Sequence, residues 1–498
     1  MVSKILVALV ISSTVFVINN SYANNDGPEA INGAVKMRTM TRSSSSQFTP
    51  PKESLGTYVI DSGGGLDTGC SYNDLTINLY IPRVLNNSVL DVSGKINSSD
   101  VGRLQSIGTI SGSARINMPT YDIDGPEIDK VYFNGEYVTQ LKGSNNVWQN
   151  TNIEIPIDTI RFGQINTIKI DVDVNNEGWC MSVDWVSAEF DVASPVVLVH
   201  GINADSTTWG SDVIDEINQS GVLFETVSLI SNGSVSQNGN LLGQKIEQFL
   251  QPIKSDSVHI IAHSKGGLDA QYMAKYFSHI ELLSLSTLAT PHLGSVTADV
   301  RFLTDNHAAK FYEPNESDPK NILQKYFQVH KLGGPNPPGI YDLTTDSRQQ
   351  ALLNKEMDNV KNTFSLAANA DLNGNKELEW SESAGLFYAW YLSGWGAVRT
   401  YNIMKNYNSV IYVRTEQVSI LDTSERIPIE KIVNRVIYEA DKQNDADLHD
   451  NDIVVTVASA LPSFVTSLGT VKANHSTIKN AENINKFLNQ IIPMRSGE

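Results

Sequence analysis

Ser264 stands where a short apolar run, 258–262, meets a helix-forming stretch, 265–277, in the string Ala262, His263, Ser264, Lys265, Gly266, Gly267. A serine in so tight a strand-to-helix turn is held in a strained conformation with its hydroxyl presented, and its neighbours must be small because the two elements pass close together. A serine hydroxyl attacks a carbonyl only when a neutral imidazole takes its proton and a carboxylate fixes the tautomer of that imidazole. Of nine histidines, His449 and His475 lie near the C-terminal end. His475 opens the turn Asn474, His475, Ser476, Thr477 ahead of an expected helix over 478–491, whereas His449 lies in the acidic stretch 445–452. The carboxylates within reach are Asp452, in Asn451, Asp452, Ile453, Val454, Val455, and its rivals Asp450 and Asp447. Such a set would perform two-step acyl transfer. The plainer readings are an ordinary turn serine, since small-x-Ser-x-Gly also arises by chance, and a solvated run of charge.

A second constellation has metal-ligand spacing. Asp371, Asn373, Asn375, Glu377, Glu379 and Glu382 fit a twelve-residue EF-hand loop, with Leu378 eighth and helical stretches expected on both sides. Lys376 occupies the sixth position, where glycine makes the sharp turn, so the reading competes with that of a solvated acidic loop. A calcium ion there would be structural, and the acyl-transfer chemistry needs no cofactor. The only cysteines are Cys70 and Cys180. In an exported chain such a pair commonly forms a disulfide; two separate buried thiols are the alternative.

The elements that must position these residues follow from periodicity. Over 56–192 the pattern has period two: Ile168, Ile170, Val172 and Val174 alternate with Lys169, Asp171 and Asp173. Residues 130–138 read as a hairpin around Asn134 and Gly135, and 75–81, 152–157 and 183–192 as further strands, giving an antiparallel β-sandwich that holds both cysteines near its ends. After Pro195 the runs 196–199, 258–261, 282–288 and 410–413 do not alternate, as expected of strands covered on both faces of a parallel sheet, and helical stretches such as 241–250 lie between them. The expected fold class is therefore α/β with a mostly parallel central sheet over 195–498, preceded by the antiparallel sandwich.

The ends and the composition bound the setting. Residues 1–23 carry one lysine, Lys4, then an apolar run to Ile18 and the string Ser21, Tyr22, Ala23, which reads as a secretory signal peptide with a small-x-small cleavage site. The run is shorter than the roughly 20 residues that span a bilayer. Residues 24–55, with Ser43 to Ser46 and Pro50 and Pro51, read as a disordered leader. The expectation is a secreted, extracellular or periplasmic protein without a transmembrane segment. A net charge of −18 repels nucleic acid and anionic lipid headgroups at long range, which favours neutral or apolar substrates.

The chain resembles the bacterial secreted triacylglycerol lipases of the α/β-hydrolase fold from about Pro195 to the C-terminus. The resemblance rests on the serine string, on Thr290, Pro291, His292, Leu293, Gly294, Ser295, on Tyr341, Asp342, Leu343, Thr344, Thr345, and on Val199, His200, Gly201, Ile202, Asn203. Ala262 stands where the usual elbow has glycine, a departure that some bacterial lipases share, and Ile453 replaces the glycine of an Asn-Asp-Gly-x-Val turn. The resemblance implies the order serine, acid, histidine, hence Ser264, Asp452 and His475, with an oxyanion hole from the backbone N–H groups of Ile202 and Lys265. It implies that His200, His263 and His292 are not bases. The stretch between Gly294 and Tyr341, including 333–338, reads as a lid or as a variable surface loop. The activity implied is hydrolysis of a lipid or other ester by a lipase; a carboxylesterase, a polyester depolymerase or a thioesterase would use the same three residues. A different class is a binding protein whose sandwich docks to a surface or polymer ligand beside an inert hydrolase domain.

Overall fold

The computed structural model describes residues 48–61, 71–295, 298, 338–355, 357, 359–370, 450–452 and 454–496. The signal-peptide and leader readings to residue 47, Cys70, the run 410–413, the calcium loop, Asp447, His449 and most of the stretch between Gly294 and Tyr341 lie outside them.

Strands β1 (Thr57–Ile60), β2 (Leu75–Ile81), β3 (Ile110–Tyr121), β4 (Lys130–Phe133), β5 (Glu136–Gln140), β6 (Trp148–Pro156), β7 (Gln164–Asp171), β8 (Ser182–Val183) and β9 (Val186–Val192) form two antiparallel sheets. One runs β1-β9-β3-β6 with β8 beside β3, and the other β2-β7-β4-β5. Alternation decides which faces meet. Ile77 pairs with Ile168, which also pairs with Phe133, and these pack in one apolar cluster with Ile116 and Met118 of β3 and Ile153 of β6. Phe133 pairs with Glu136 across Asn134 (φ 50°) and Gly135 (φ 91°), so the two-residue hairpin turns through two positive φ values as its Asn-Gly sequence requires. The short helix α1 (Val101–Ser106) leads into β3.

The second part is a six-stranded sheet in the order β11 (Phe224–Val227), β10 (Val196–Val199), β12 (Ser257–His263), β13 (Glu281–Leu288), β14 (Thr363–Asn369), β15 (Thr466–Lys472), with every pair parallel. Its inner strands need no polar face because helices cover both sides. Val197, Val199, Ile260 and Ala262 point into the cluster that holds Leu242 and Ile246 of α3 (Val235–Leu250) and Met273 of α4 (Lys265–Tyr276). Val196, Leu198 and Ile261 point the other way, to Val213 and Ile217 of α2 (Ser211–Ser220) and Phe487 of the C-terminal helix Ala481–Ile491. That last helix begins three residues later than the periodicity suggests. Asn474 Oδ1 first accepts the N–H groups of Ser476 and Thr477 in a turn, and Asn480 then caps the helix through the N–H of Asn483.

One expectation is corrected: the stretch before the calcium loop is not helical. Thr363–Asn369 is a strand, Leu366 and Ala367 being buried beside β13, so burial on both faces overrides the helix propensity of Leu-Ala-Ala. The sandwich also joins the parallel sheet closely. Its core residues belong to the same apolar cluster as α3 and α4. Tyr58 donates to the carbonyl of Ile253 (3.0 Å), Thr109 to that of Ser220 (2.7 Å), and Arg495 pairs with Asp191 (2.7 Å). No helix among the described residues is long and apolar enough to cross a membrane.

Candidate active site

The chain runs from β10 to β11 on one side and then crosses to β12 on the other, so the order reverses between β10 and β12. A crevice opens beyond the carboxyl ends of two such strands. His200 and Gly201 leave β10 there, and Ser264 leaves β12.

Ser264 has φ 54° and ψ −131°, a conformation that costs a non-glycine residue about 1–3 kcal/mol. Its surroundings hold it there. Its N–H donates to the carbonyl of Leu288 (2.9 Å), and its own carbonyl accepts from Thr290 Oγ1 (2.8 Å). A Cβ at Gly266 would lie 2.4 Å from the carbonyl oxygen of His200, one at Gly267 2.3 Å from Thr290 Oγ1, and one at Gly201 2.8 Å from Ser264 Cβ. These contacts are why the positions around the serine are small. The residue is 2% exposed, so the hydroxyl faces its partners rather than open solvent.

Of those partners, His475 follows β15, and the Asp452 segment is bonded to the end of β14, the N–H of Ala370 donating to the carbonyl of Asn451 (2.8 Å). Ser264 Oγ lies 2.8 Å from His475 Nε2, and His475 Nδ1 lies 2.7 Å from Asp452 Oδ2. Asp452 Oδ1 accepts the N–H groups of Val454 (2.9 Å) and Val455 (2.7 Å), which leaves Oδ2 for the imidazole. The carbonyl of Asp452 also accepts the N–H of His475 (3.1 Å). The geometry fixes the tautomer: Nδ1–H donates to the carboxylate, and Nε2 is free to accept the serine proton. Asp450 is brought elsewhere, its carboxylate accepting from Asn369 Nδ2 (2.7 Å) at the surface.

The remaining histidines are held by other partners. His200 Nδ1–H donates to the carbonyl of Gly201 (2.7 Å), and its Nε2 accepts the N–H of Leu229 (2.8 Å); burial holds its pKa below the usual imidazole value. His263 Nε2–H donates to the carbonyl of His475 (2.7 Å), with ring centroids 4.8 Å apart, and burial keeps it neutral. His292 accepts from Gln271 Nε2 at Nδ1 (2.7 Å) and faces Thr287 Oγ1 with Nε2 (3.1 Å); burial pushes its pKa to about 3. Arg348 closes that buried network on Gln271 Oε1 (2.9 Å).

Two motifs acquire positions here. Ser295 donates to the carbonyl of Val454 (2.6 Å) and Ser459 to that of Gly294 (2.6 Å), so the segment 290–295 ties the serine turn to the loop bearing Asp452. Asp342, in the short helix Pro338–Asp342, accepts the N–H of Val235 (2.6 Å). Lys265, directly after the serine, turns its ammonium inward to Asp269 (2.5 Å), both side chains being buried, and burial raises the Asp269 pKa to about 6. Its backbone N–H, at the first position of α4, has no partner within the helix. Ile202 is buried one residue beyond Gly201.

Sequence reasoning missed Lys479. It lies four residues after His475, and its Nζ donates to Thr208 Oγ1 (2.6 Å) beside His263. Nothing in its spacing marks it, because the chain folds back between the two positions. Among the described residues no group of three or more His, Cys, Asp or Glu side chains is arranged to hold a metal ion.

A family model described as "Putative serine esterase (DUF676)" matches residues 194–311. "Triacylglycerol lipase 2" of Saccharomyces cerevisiae is 36% identical over 73 residues, 14% of this chain and 22% of that protein. "Triacylglycerol lipase" of Vibrio cholerae is 29% identical over 110 residues, 21% of this chain and 35% of that protein. The chain thus spans about a third or less of the length of these curated relatives. The crystal structure of Bacillus licheniformis lipase BlEst2 in its mature form aligns with 61% of this chain and 93% of its own, at 19% identity and a TM-score of 0.37. A parallel sheet that reverses its order at a serine turn is the arrangement of an α/β-hydrolase fold, and the residues across that turn, 194–311, are similar to the putative serine esterase family.

Proposed function

We propose that the chain is an exported serine ester hydrolase, a lipase acting on acylglycerols. One observation carries this reading: the unbroken series of hydrogen bonds from Asp452 through His475 to Ser264 at the reversal point of the sheet. Ser264 Oγ attacks the ester carbonyl as its proton passes to His475 Nε2. The carbonyl oxygen becomes an oxyanion, received by the backbone N–H groups of Ile202 and Lys265. His475, held as imidazolium by Asp452, returns the proton to the departing alkoxide. Water then attacks the acyl-serine by the same route and releases the acid. The relatives named as triacylglycerol lipases support the acylglycerol as substrate.

Export rests on the pattern of residues 1–23. A Cys70–Cys180 disulfide is consistent with it, and Ser71 and Met181, the residues that follow the two cysteines, pair as an antiparallel bridge. A structural calcium ion at Asp371, Asn373, Asn375, Glu377 and Glu382 remains part of the proposal, on the spacing of those residues alone. The test is hydrolysis of p-nitrophenyl esters of two, eight and sixteen carbons by the mature protein and by Ser264→Ala, with and without a calcium chelator. A loss of several powers of ten in the variant is expected. A preference for long chains supports the lipase, a preference for short ones the carboxylesterase. Activity that survives in Ser264→Ala would refute the serine mechanism.

A further inference from the structure

Between the loop that leaves the His200–Gly201 turn and the loop that carries His475 lies a cleft of about 580 Å³. Its lining mixes polar and apolar surface. Asn203, Thr207 and Thr208 come from the first loop, Ser476 and Lys479 from the second, and His263 forms part of the wall. We infer that this cleft is a subsite for an oxyanion group, phosphate or carboxylate, on the alcohol side of the ester; the inference rests on the serine-hydrolase reading of the neighbouring site.

Lys479 is the cation of the cleft. Its ammonium has three donors, of which one goes to Thr208 Oγ1 (2.6 Å). No carboxylate among the described residues pairs with it, although acidic residues outnumber basic ones 55 to 37 in the chain. A half-buried cation without a counter-ion is disfavoured unless something supplies the charge, and burial indeed pushes the Lys479 pKa down to about 8. Asp205 also lines the cleft but forms no ion pair with Lys479, its Oδ1 accepting the N–H (2.9 Å) and hydroxyl (2.6 Å) of Thr207.

His263 gives a second, independent observation. Its Nε2–H is committed to the carbonyl of His475, and its buried Nδ1 has no hydrogen-bond partner among the described residues. A buried acceptor without a partner calls for a donor, either a hydroxyl of the bound alcohol or a protonated phosphate oxygen. The cleft therefore offers a cation, hydroxyl donors and an open acceptor, a set that suits an alcohol bearing both hydroxyl and anionic oxygens better than a plain alkyl alcohol. Its place follows from the same residues. Ser476 is the next residue after His475, whose Nε2 must protonate the departing alcohol, and Asn203 is the next after Ile202.

The experiment compares kcat/KM of the mature protein for butyryl esters of glycerol, glycerol 3-phosphate and glyceric acid, and the inhibition of glycerol butyrate hydrolysis by inorganic phosphate at constant ionic strength. A charge-assisted contact is expected to favour the two anionic esters by about tenfold or more. Lys479→Met should bring that ratio to about one and Lys479→Arg should retain it, with competitive phosphate inhibition following the same pattern. A ratio near one in the unaltered protein, a ratio unchanged by Lys479→Met, or phosphate inhibition no stronger than that of matched chloride would overturn the inference. Should Lys479→Met not fold, the substrate ratio and phosphate inhibition of the unaltered protein decide alone. Failure of the serine mechanism shows separately, as glycerol butyrate hydrolysis by Ser264→Ala.

Discussion

The sandwich and the serine turn are built on opposite terms. In the sandwich, Ile168 sits between Ile77 and Phe133 in regular antiparallel register, and each buried side chain does the same work as its neighbours. At the serine turn the backbone leaves its common conformations, and Gly201, Gly266 and Gly267 are fixed by atoms less than 3.0 Å from where a methyl group would go. The first region gains stability from repetition. The second spends it to hold one hydroxyl against one imidazole. Stability and activity should therefore separate by region.

The largest separation is expected at the carboxylate. Asp452→Asn should lower kcat/KM by about 10³–10⁴-fold through loss of the tautomer and of imidazolium stabilisation, with little change in Tm. Asp450→Asn, which removes only a surface bond to Asn369, should leave kcat within about twofold, and steady-state kinetics on one ester checks both.

Ile168→Ala tests the other region. Deleting a side chain that is 1% exposed should cost about 2–5 kcal/mol in urea unfolding, while the remaining folded enzyme keeps its kcat/KM. Because the sandwich shares one apolar cluster with α3 and α4, the loss should appear in a single transition. Two transitions would mean that the regions fold independently. Gly266→Ala should do the reverse, costing about 1–3 kcal/mol from the contact with the His200 carbonyl but lowering kcat more than tenfold, since that carbonyl and Ser264 move together.

The smallest effect concerns a buried carboxyl of the sandwich. Burial, with Asp129 and Asp124 nearby, raises the Glu127 pKa from 4.5 to about 8. The folded chain then keeps a proton that the unfolded chain has lost, so the stabilisation is complete below about pH 4.5 and disappears as pH rises through 8. Tm should fall across that window, and Glu127→Gln should flatten the fall. An unaltered slope in the variant would place its cause elsewhere.

Much of this architecture was legible in the residues. Period two marked the sandwich because one face of each strand meets water, and unbroken apolar runs marked β10, β12 and β13 because helices cover both faces. β15 carried no such mark: an edge strand with Thr466, Ser467, Gly469 and Thr470 exposed buries too little to show a pattern. The strand Thr363–Asn369 was hidden for a different reason, its Leu-Ala-Ala core being as much at home in a helix. At the site, Ser264, His475 and Asp452 could be singled out by turn chemistry and chain order. What spacing could not show was how the supporting groups meet, because His263, Thr208 and Lys479 are brought together only when the last loop folds over the first.

The most direct test of the central claim is covalent labelling. A fluorophosphonate offered to the mature protein should give a single adduct, mapped by mass spectrometry to Ser264, with a rate at least 10³-fold lower in His475→Ala. No adduct, an adduct on another residue, or a rate indifferent to His475 would contradict the account.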